Sequence, residues 1–234
     1  MATALTACSG SGTSAQAKKL TAAEQLAAAK AKTDAATSMH LTLRSSGIPE
    51  SANGVLGADG SGTHAPAFKG TLDARIAGFQ VKVEVVAIDR LLYLKLPFTT
   101  EFAPADPKEY NAPDPALLFA KDGGITSLMT ATTNPVEGKT TRSGADVLTT
   151  ITGKLPGASI VKLLNFGDPA KTFDVTYGIT EPGGELRTVT LVGPFFKGAP
   201  STPGTSTAAT STPATSTYVL TLDKYGAPVE ISKP

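Results

Sequence analysis

The 234-residue chain has one cysteine, two histidines and no tryptophan. A single thiol rules out an intrachain disulfide framework and a Cys-based zinc site, and two imidazoles are too few for a His-rich metal site. No charge of one sign predominates either. The 21 Lys plus Arg against 20 Asp plus Glu leave a formal charge of +1, so there is no electrostatic footprint for nucleic acid, which is not expected as a partner. Long apolar runs are also missing. Hydrophobic residues make up 41% and charged ones 18%, yet the longest uncharged stretches are rich in Thr, Gly and Pro and make no membrane-spanning helix. The length suits one β-rich domain with a core that needs no disulfide or metal.

Catalytic patterns are equally scarce. Gly138-Lys139-Thr140 resembles the end of a phosphate-binding loop, but Thr133 stands where the first glycine belongs. Gly57-Ala58-Asp59-Gly60-Ser61-Gly62 lacks the dinucleotide spacing. There is no Gly-x-Ser-x-Gly elbow and no His-Glu-x-x-His motif. His40 on the polar side of a strand and His64 in a turn are expected to be solvated, as are Asp73, Glu84 and Asp174. Nothing converges on an active site, so neither enzymatic chemistry nor a cofactor is expected.

What is present begins with the lone thiol, in Leu5-Thr6-Ala7-Cys8-Ser9-Gly10. An aliphatic residue, two small residues, Cys and small polar residues resemble a bacterial lipobox, in which the thiol is diacylated and the chain is cut before it. Ser9 to Ala17 carries no charge and reads as a flexible tether. Residues 1–17 are thus expected to be lipobox and tether, with Cys8 the lipidation site and the protein anchored on the extracytoplasmic side of the cell membrane. The seven residues before Cys8 are too few for a basic and an apolar signal region, so the chain as given is expected to stay cytosolic and unacylated.

The domain is expected over residues 18–234. Leu20 to about Thr37 is rich in helix formers and opens with Thr21-Ala22-Ala23-Glu24, a capping-box spacing that starts a helix at Thr21. From Met39 the period changes to two. Strands are predicted near 39–46, 55–62 and 68–77, then over Phe79 to Val85 and Leu92 to Leu96 across an Asp89-Arg90 turn. A Pro-rich loop follows to Pro115, with helical turns at Ala116–Lys121 and Ile125–Thr130. Further strands are predicted at 135–143, 145–153, 172–180, 186–193, 217–223 and 228–232, with a helix opening at Pro156. Residues 199–217 hold eleven Ser or Thr, three Pro and no charge, and read as a disordered insertion.

Apolar surface is the remaining signal. Strand parity points Leu72 and Ile76, then Val81, Val83 and Val85, then Leu92, Leu94 and Leu96, then Val147 and Ile151, towards one face. Leu117, Leu118, Leu128, Met129, Ile160, Leu163 and Leu164 lie on helical segments that would cover it. A cavity above about 300 Å³ is expected between them, suited to acyl chains, and all these residues except Leu96 are candidates to line it.

Several segments together resemble one family. Cys8, Ser38-Met39-His40-Leu41, Gly47-Ile48-Pro49, Val86-Ala87-Ile88-Asp89-Arg90-Leu91-Leu92-Tyr93, Asp114-Pro115-Ala116-Leu117-Leu118 and Tyr225-Gly226-Ala227-Pro228-Val229-Glu230-Ile231 are similar in order and spacing to the mycobacterial lipoprotein family LppX/LprA/LprF/LprG. The 199–217 insertion departs from its shorter members. The resemblance implies an α+β fold: a single curved antiparallel half-barrel of ten or eleven strands, with helices on the concave face enclosing an apolar pocket. It also implies a monomer that carries di- or triacylated glycolipid, or another long-chain lipid, between the plasma membrane and the outer envelope, with a membrane transporter or sensor as a further partner. A structural or sensory lipoprotein acting through a protein partner is the alternative. An enzyme on envelope lipids would need a polar cluster beside the pocket that the sequence does not supply.

Overall fold

The computed structural model describes residues 19–107, 113–196 and 215–234. Eleven strands form one antiparallel sheet: β1 (Ser38–Ser46), β2 (Gly54–Thr63), β3 (Ala67–Ile76), β4 (Phe79–Ile88), β5 (Leu91–Lys95), β6 (Ala103–Ala105), β7 (Thr133–Ser143), β8 (Asp146–Pro156), β9 (Thr172–Glu181), β10 (Leu186–Gly193) and β11 (Ser216–Asp223). Their spatial order is β6-β5-β4-β3-β2-β1-β11-β10-β9-β8-β7. Each pairs with its neighbour in sequence except at one seam, where β1 meets β11 with Leu41 opposite Leu222 and Leu43 opposite Leu220. Two meanders are thus closed on each other by the first and last strands.

Helical segments supply the other layer. Helix α1 (Ala22–Asp34) carries the predicted capping box: the Glu24 N–H donates to the Thr21 hydroxyl and the Glu24 carboxylate accepts from the Thr21 N–H at 2.7 Å. It ends at Asp34 instead of running to Thr37. A short 3₁₀ helix, Pro115–Phe119, begins where the Asp114 carboxylate accepts from the Ala116 N–H at 2.9 Å. Helices α2 (Ser127–Ala131) and α3 (Gly157–Leu164) follow, the latter closed by Asn165 in the left-handed region. Buried side chains from all four segments and from the inward parity of the strands join in one core: Leu26, Phe119, Met129 and Ile160 meet Leu41, Val85, Ile151, Tyr177 and Leu220.

Several strand assignments differ from the sequence reading. Residues 228–232 are not a strand: the chain leaves β11 through a turn in which the Gly226 N–H donates to the Ser38 carbonyl, and Lys233 pairs with Asp89 at 3.1 Å. The eleventh strand is instead β6, within the Pro-rich loop, where Pro104 opposite Tyr93 on the sheet's edge forfeits no ladder bond to a further strand. The strand predicted from 217 starts one residue earlier, with Ser216 of the expected insertion pairing with Gly193 and Thr217 with Val192. Cys8, its tether and residues 199–214 lie outside the described residues.

Candidate functional site

Glycine in β2 decides how the helical layer sits. A β-carbon at Gly62 would stand 2.4 to 2.6 Å from the Phe119 ring, and one at Gly60 would stand 2.6 Å from Phe68. With only hydrogen there, the two rings stack at 5.8 Å and 23° directly against the strand. Phe119 brings the 3₁₀ helix with it. His64, in the β2–β3 turn, holds the same segment: its Nδ1 lies 2.6 Å from the Phe119 carbonyl and its Nε2 3.4 Å from that of Thr33 at the end of α1. The imidazole expected to be solvated is therefore a strut between hairpin, α1 and 3₁₀ helix.

Between this cover and the sheet lies an apolar cleft. Leu41, Leu43, Leu191 and Leu220 form its floor, Phe68 and Leu72 one side, and Leu118, Phe119, Leu164 and Phe166 its roof. Its free volume is about 70 Å³, well below the 300 Å³ expected from sequence. Aromatic rings account for the difference. Phe166, Phe173, Phe195, Phe196 and Tyr218 pack at centroid distances of 4.8 to 6.0 Å, and Phe166 and Tyr218 line the cleft directly. The lining expected from parity consists of Val, Leu, Ile and Met alone; the Phe195-Phe196 pair just after β10 is the sequence signal for the rings.

Of the sixteen residues singled out from sequence, Leu72, Leu118 and Leu164 line the cleft. Val83, Val85, Leu92, Leu128, Met129, Ile151, Ile160 and Leu163 are buried in the core around it, and Val81 and Leu94 pack against that core. Three others are placed differently. Ile76 is 37% exposed at the end of β3, where parity no longer has a neighbour to pack on, and Leu117 is 48% exposed on the outer side of the 3₁₀ helix. Val147 is half-buried near the start of β8, outside the core cluster. Leu96, assigned the same parity as Leu94, lies beyond β5 and is exposed.

A family model described as LppX_LprAFG lipoprotein matches residues 21–231. The chain belongs to this family. Among solved structures, LprF from Mycobacterium bovis is similar with a TM-score of 0.71 at 17% identity, covering 91% of this chain and 96% of that one. Lipoprotein LppX of Mycobacterium tuberculosis is similar with a TM-score of 0.61 at 21% identity, covering 90% and 98%. At such identities the two structures establish the fold. No curated protein matches the sequence.

In this member of the LppX_LprAFG family the polar groups around the cleft are few. Tyr177, buried, and Tyr225, partly buried, have partners: the Tyr177 hydroxyl lies 2.8 Å from Thr132 Oγ1, and that of Tyr225 donates to the Leu186 carbonyl. Tyr218, 3% exposed, has no hydrogen-bond partner for its hydroxyl among the described residues. Burial pushes all three phenols well above the ordinary tyrosine range. On the sheet's other face His40 is flanked by carboxylates, Nδ1 at 2.8 Å from Asp223 and Nε2 at 3.3 Å from Asp59, and so is not simply solvated. Among the described residues no group of three His, Cys, Asp or Glu could hold a metal, and no helix is long and apolar enough to cross a membrane.

A second, more open cleft of about 570 Å³ lies along the opposite side of the 3₁₀ helix, where Asp114, Ala116 and Leu117 face the β2–β3 turn, Asp89 and Arg90 of the β4–β5 turn, and Val229 and Ile231 of the C-terminal segment. Burial pushes the Asp114 carboxyl above its usual range, an effect its bond from the Ala116 N–H partly offsets.

Proposed function

We propose that this lipoprotein carries a di- or triacylated lipid, of the glycolipid kind, between the plasma membrane and the outer envelope, held at the membrane by acylated Cys8 and performing no covalent chemistry. The observation that carries the reading is the cleft itself: apolar on every side, roofed by short segments, and lined by Tyr218, whose buried hydroxyl no described residue satisfies. An unsatisfied buried hydroxyl costs on the order of 1–3 kcal/mol and calls for an explanation. A ligand oxygen in the cleft supplies one.

The closed volume requires a moving part. The roof consists of a five-residue 3₁₀ helix and an eight-residue helix, α3, too short to be stable without the surface beneath them. Lifting them exposes the cleft while the ladder of eleven strands stays paired. Burying an acyl chain is worth about 0.8 kcal/mol per CH₂ against water, but the chain leaves a bilayer that is equally apolar, so transfer is nearly isoenergetic. The carrier needs only to compete with lipid.

Leu72 lines the cleft and is only partly buried, so Leu72→Trp is expected to fill the space and abolish lipid co-purification, read by native mass spectrometry, while the protein still melts cooperatively. Val83 and Val85, packed in the core at 5% and 1% exposure, are unsuitable for this test because a large ring there overpacks the interior. Wild-type protein that neither co-purifies with lipid nor takes up a fluorescent fatty acid would sink the carrier reading. The filled core then favours the second reading, a structural or sensory lipoprotein acting through a protein partner.

A further inference from the structure

The second cleft is several times roomier than the apolar one, and three segments singled out in the sequence analysis meet in it: the Asp89-Arg90 turn, the Asp114–Leu118 helix start and the Tyr225–Ile231 close. Its charged groups are not equally occupied. Asp89 is paired with Lys233 at 3.1 Å. Asp114 accepts from the Ala116 N–H. Arg90, exposed at the turn, makes no hydrogen bond or ion pair with the described residues, and it lines the cleft together with the apolar Ala67, Leu117 and Ile231.

The backbone gives a second, independent reason to notice Arg90. Asp89 and Arg90 form a two-residue hairpin turn between Ile88 and Leu91, with φ of 55° and 63°. The preceding hairpin of the same sheet, between Ile76 and Phe79, has the same two positive φ values at Ala77 (50°) and Gly78 (84°). Such turns favour glycine at the second position because a β-carbon is strained there. The first hairpin obeys; the second places a long cationic side chain at the strained position, beside a cavity. Backbone strain of this kind is concentrated at functional sites.

We infer that the second cleft binds the anionic head, phosphate or carboxylate, of an amphiphile, with Arg90 as its bidentate anchor and the apolar wall against the first methylenes. A planar guanidinium fork matches either group in two parallel hydrogen bonds. The mixed lining selects against a free inorganic ion, which gains nothing from Leu117 or Ile231. The inference rests on the carrier reading only for the origin of the amphiphile: the two clefts lie on opposite sides of one 3₁₀ helix, so one lipid could place its head in the second and a chain in the first.

The test uses the full chain and three probes in calorimetric titration: dodecyl phosphate, the uncharged dodecyl maltoside, and inorganic phosphate. Arg90→Gly is expected to weaken dodecyl phosphate at least about ten-fold, the loss typical of a charge-assisted pair, to leave dodecyl maltoside unchanged, and to melt no lower than wild type because glycine suits the turn. Arg90→Lys, which keeps the charge and loses the fork, should fall between. Equal dodecyl phosphate affinity in wild type and Arg90→Gly, or no binding by wild type, overturns the inference. Inorganic phosphate binding as tightly as dodecyl phosphate overturns the amphiphile and leaves a free-anion site. A melting temperature lowered by more than about 4 °C in Arg90→Gly overturns the turn argument, since that shift marks a structural role. Leu72→Trp separates the two proposals: it should lose co-purified lipid yet keep an Arg90-dependent response to dodecyl phosphate, so either can fail alone.

Discussion

Tyr218 is the residue whose environment is least self-sufficient. Tyr177, buried, and Tyr225, partly buried, spend their hydroxyls on Thr132 and on the Leu186 carbonyl, while Tyr218, its ring packed on Phe166 and Phe195, has a buried hydroxyl that no described residue meets. Removing an unpaired buried hydroxyl and keeping the ring takes away a desolvation cost and no packing. Tyr218→Phe is therefore expected to raise the melting temperature by about 2–4 °C, the scale of roughly 1 kcal/mol in a domain of this size. The same variant should bind an ester-bearing lipid less tightly than wild type while binding a plain alkyl chain equally well. A variant that melts lower would mean that the hydroxyl is already satisfied, and a lipid affinity that does not change would mean that it never meets the cargo.

At the scale of elements, the 3₁₀ helix Pro115–Phe119 is the part most exposed to small changes. It is tethered at its start by the Asp114 cap, at its end by His64, and seated through Phe119 on the bare backbone of Gly62. Gly62→Ala puts a methyl group within 2.4 to 2.6 Å of that ring, a distance that cannot be kept. The ring is backed by Phe68, so the segment must rise. Expected are a melting temperature lower by several degrees and a faster uptake of fluorescent fatty acid in stopped-flow mixing, because the roof of the cleft starts partly lifted. Slower uptake would place the route to the cleft elsewhere. Glycine in β2 reads from sequence as a weakness of that strand; packing makes it the seat of the roof.

For the whole molecule, the decisive contact is the β1–β11 seam, since every other strand pairing is between neighbours in sequence. The seam buries Leu41, Leu220 and Leu222 and unites two meanders that are otherwise bridged by the helical cover and by the segment after β11, whose Lys233 pairs with Asp89. Amide hydrogen exchange is expected to be slowest at Leu41, Leu43, Leu220 and Leu222, opening only with global unfolding, and fastest at the edges in β6 and β7. Fast exchange at the seam with protection elsewhere would show instead that the two meanders open from one another as separate units. A pairing between strands so distant in sequence also carries a large loop-closure entropy, which puts this topology among the slow folders.

The sequence by itself determined the local devices and the family. The Thr21 and Glu24 capping box, the two-residue turns, the inward parity of Val81, Val83 and Val85, and the motifs that carry the family resemblance all depend on residues within a few positions of one another. Parity says only that a side chain points inward; it does not say what stands across from it. That required the tertiary structure, because the partners come from remote segments: Phe119 lies on Gly62, Phe166 closes against Tyr218, and Arg90 shares a cleft with Leu117 and Ile231. Hence Val83 belongs to packed core and Leu72 to the cleft although both point inward, Leu117 turns outward although its neighbour Leu118 turns in, and His40 and His64 are held by partners no local pattern reveals. The edge strand β6 and the non-strand at 228–232 differ from the sequence reading for the same reason: a strand is defined by a neighbour's hydrogen bonds, and pattern alone supplies no neighbour.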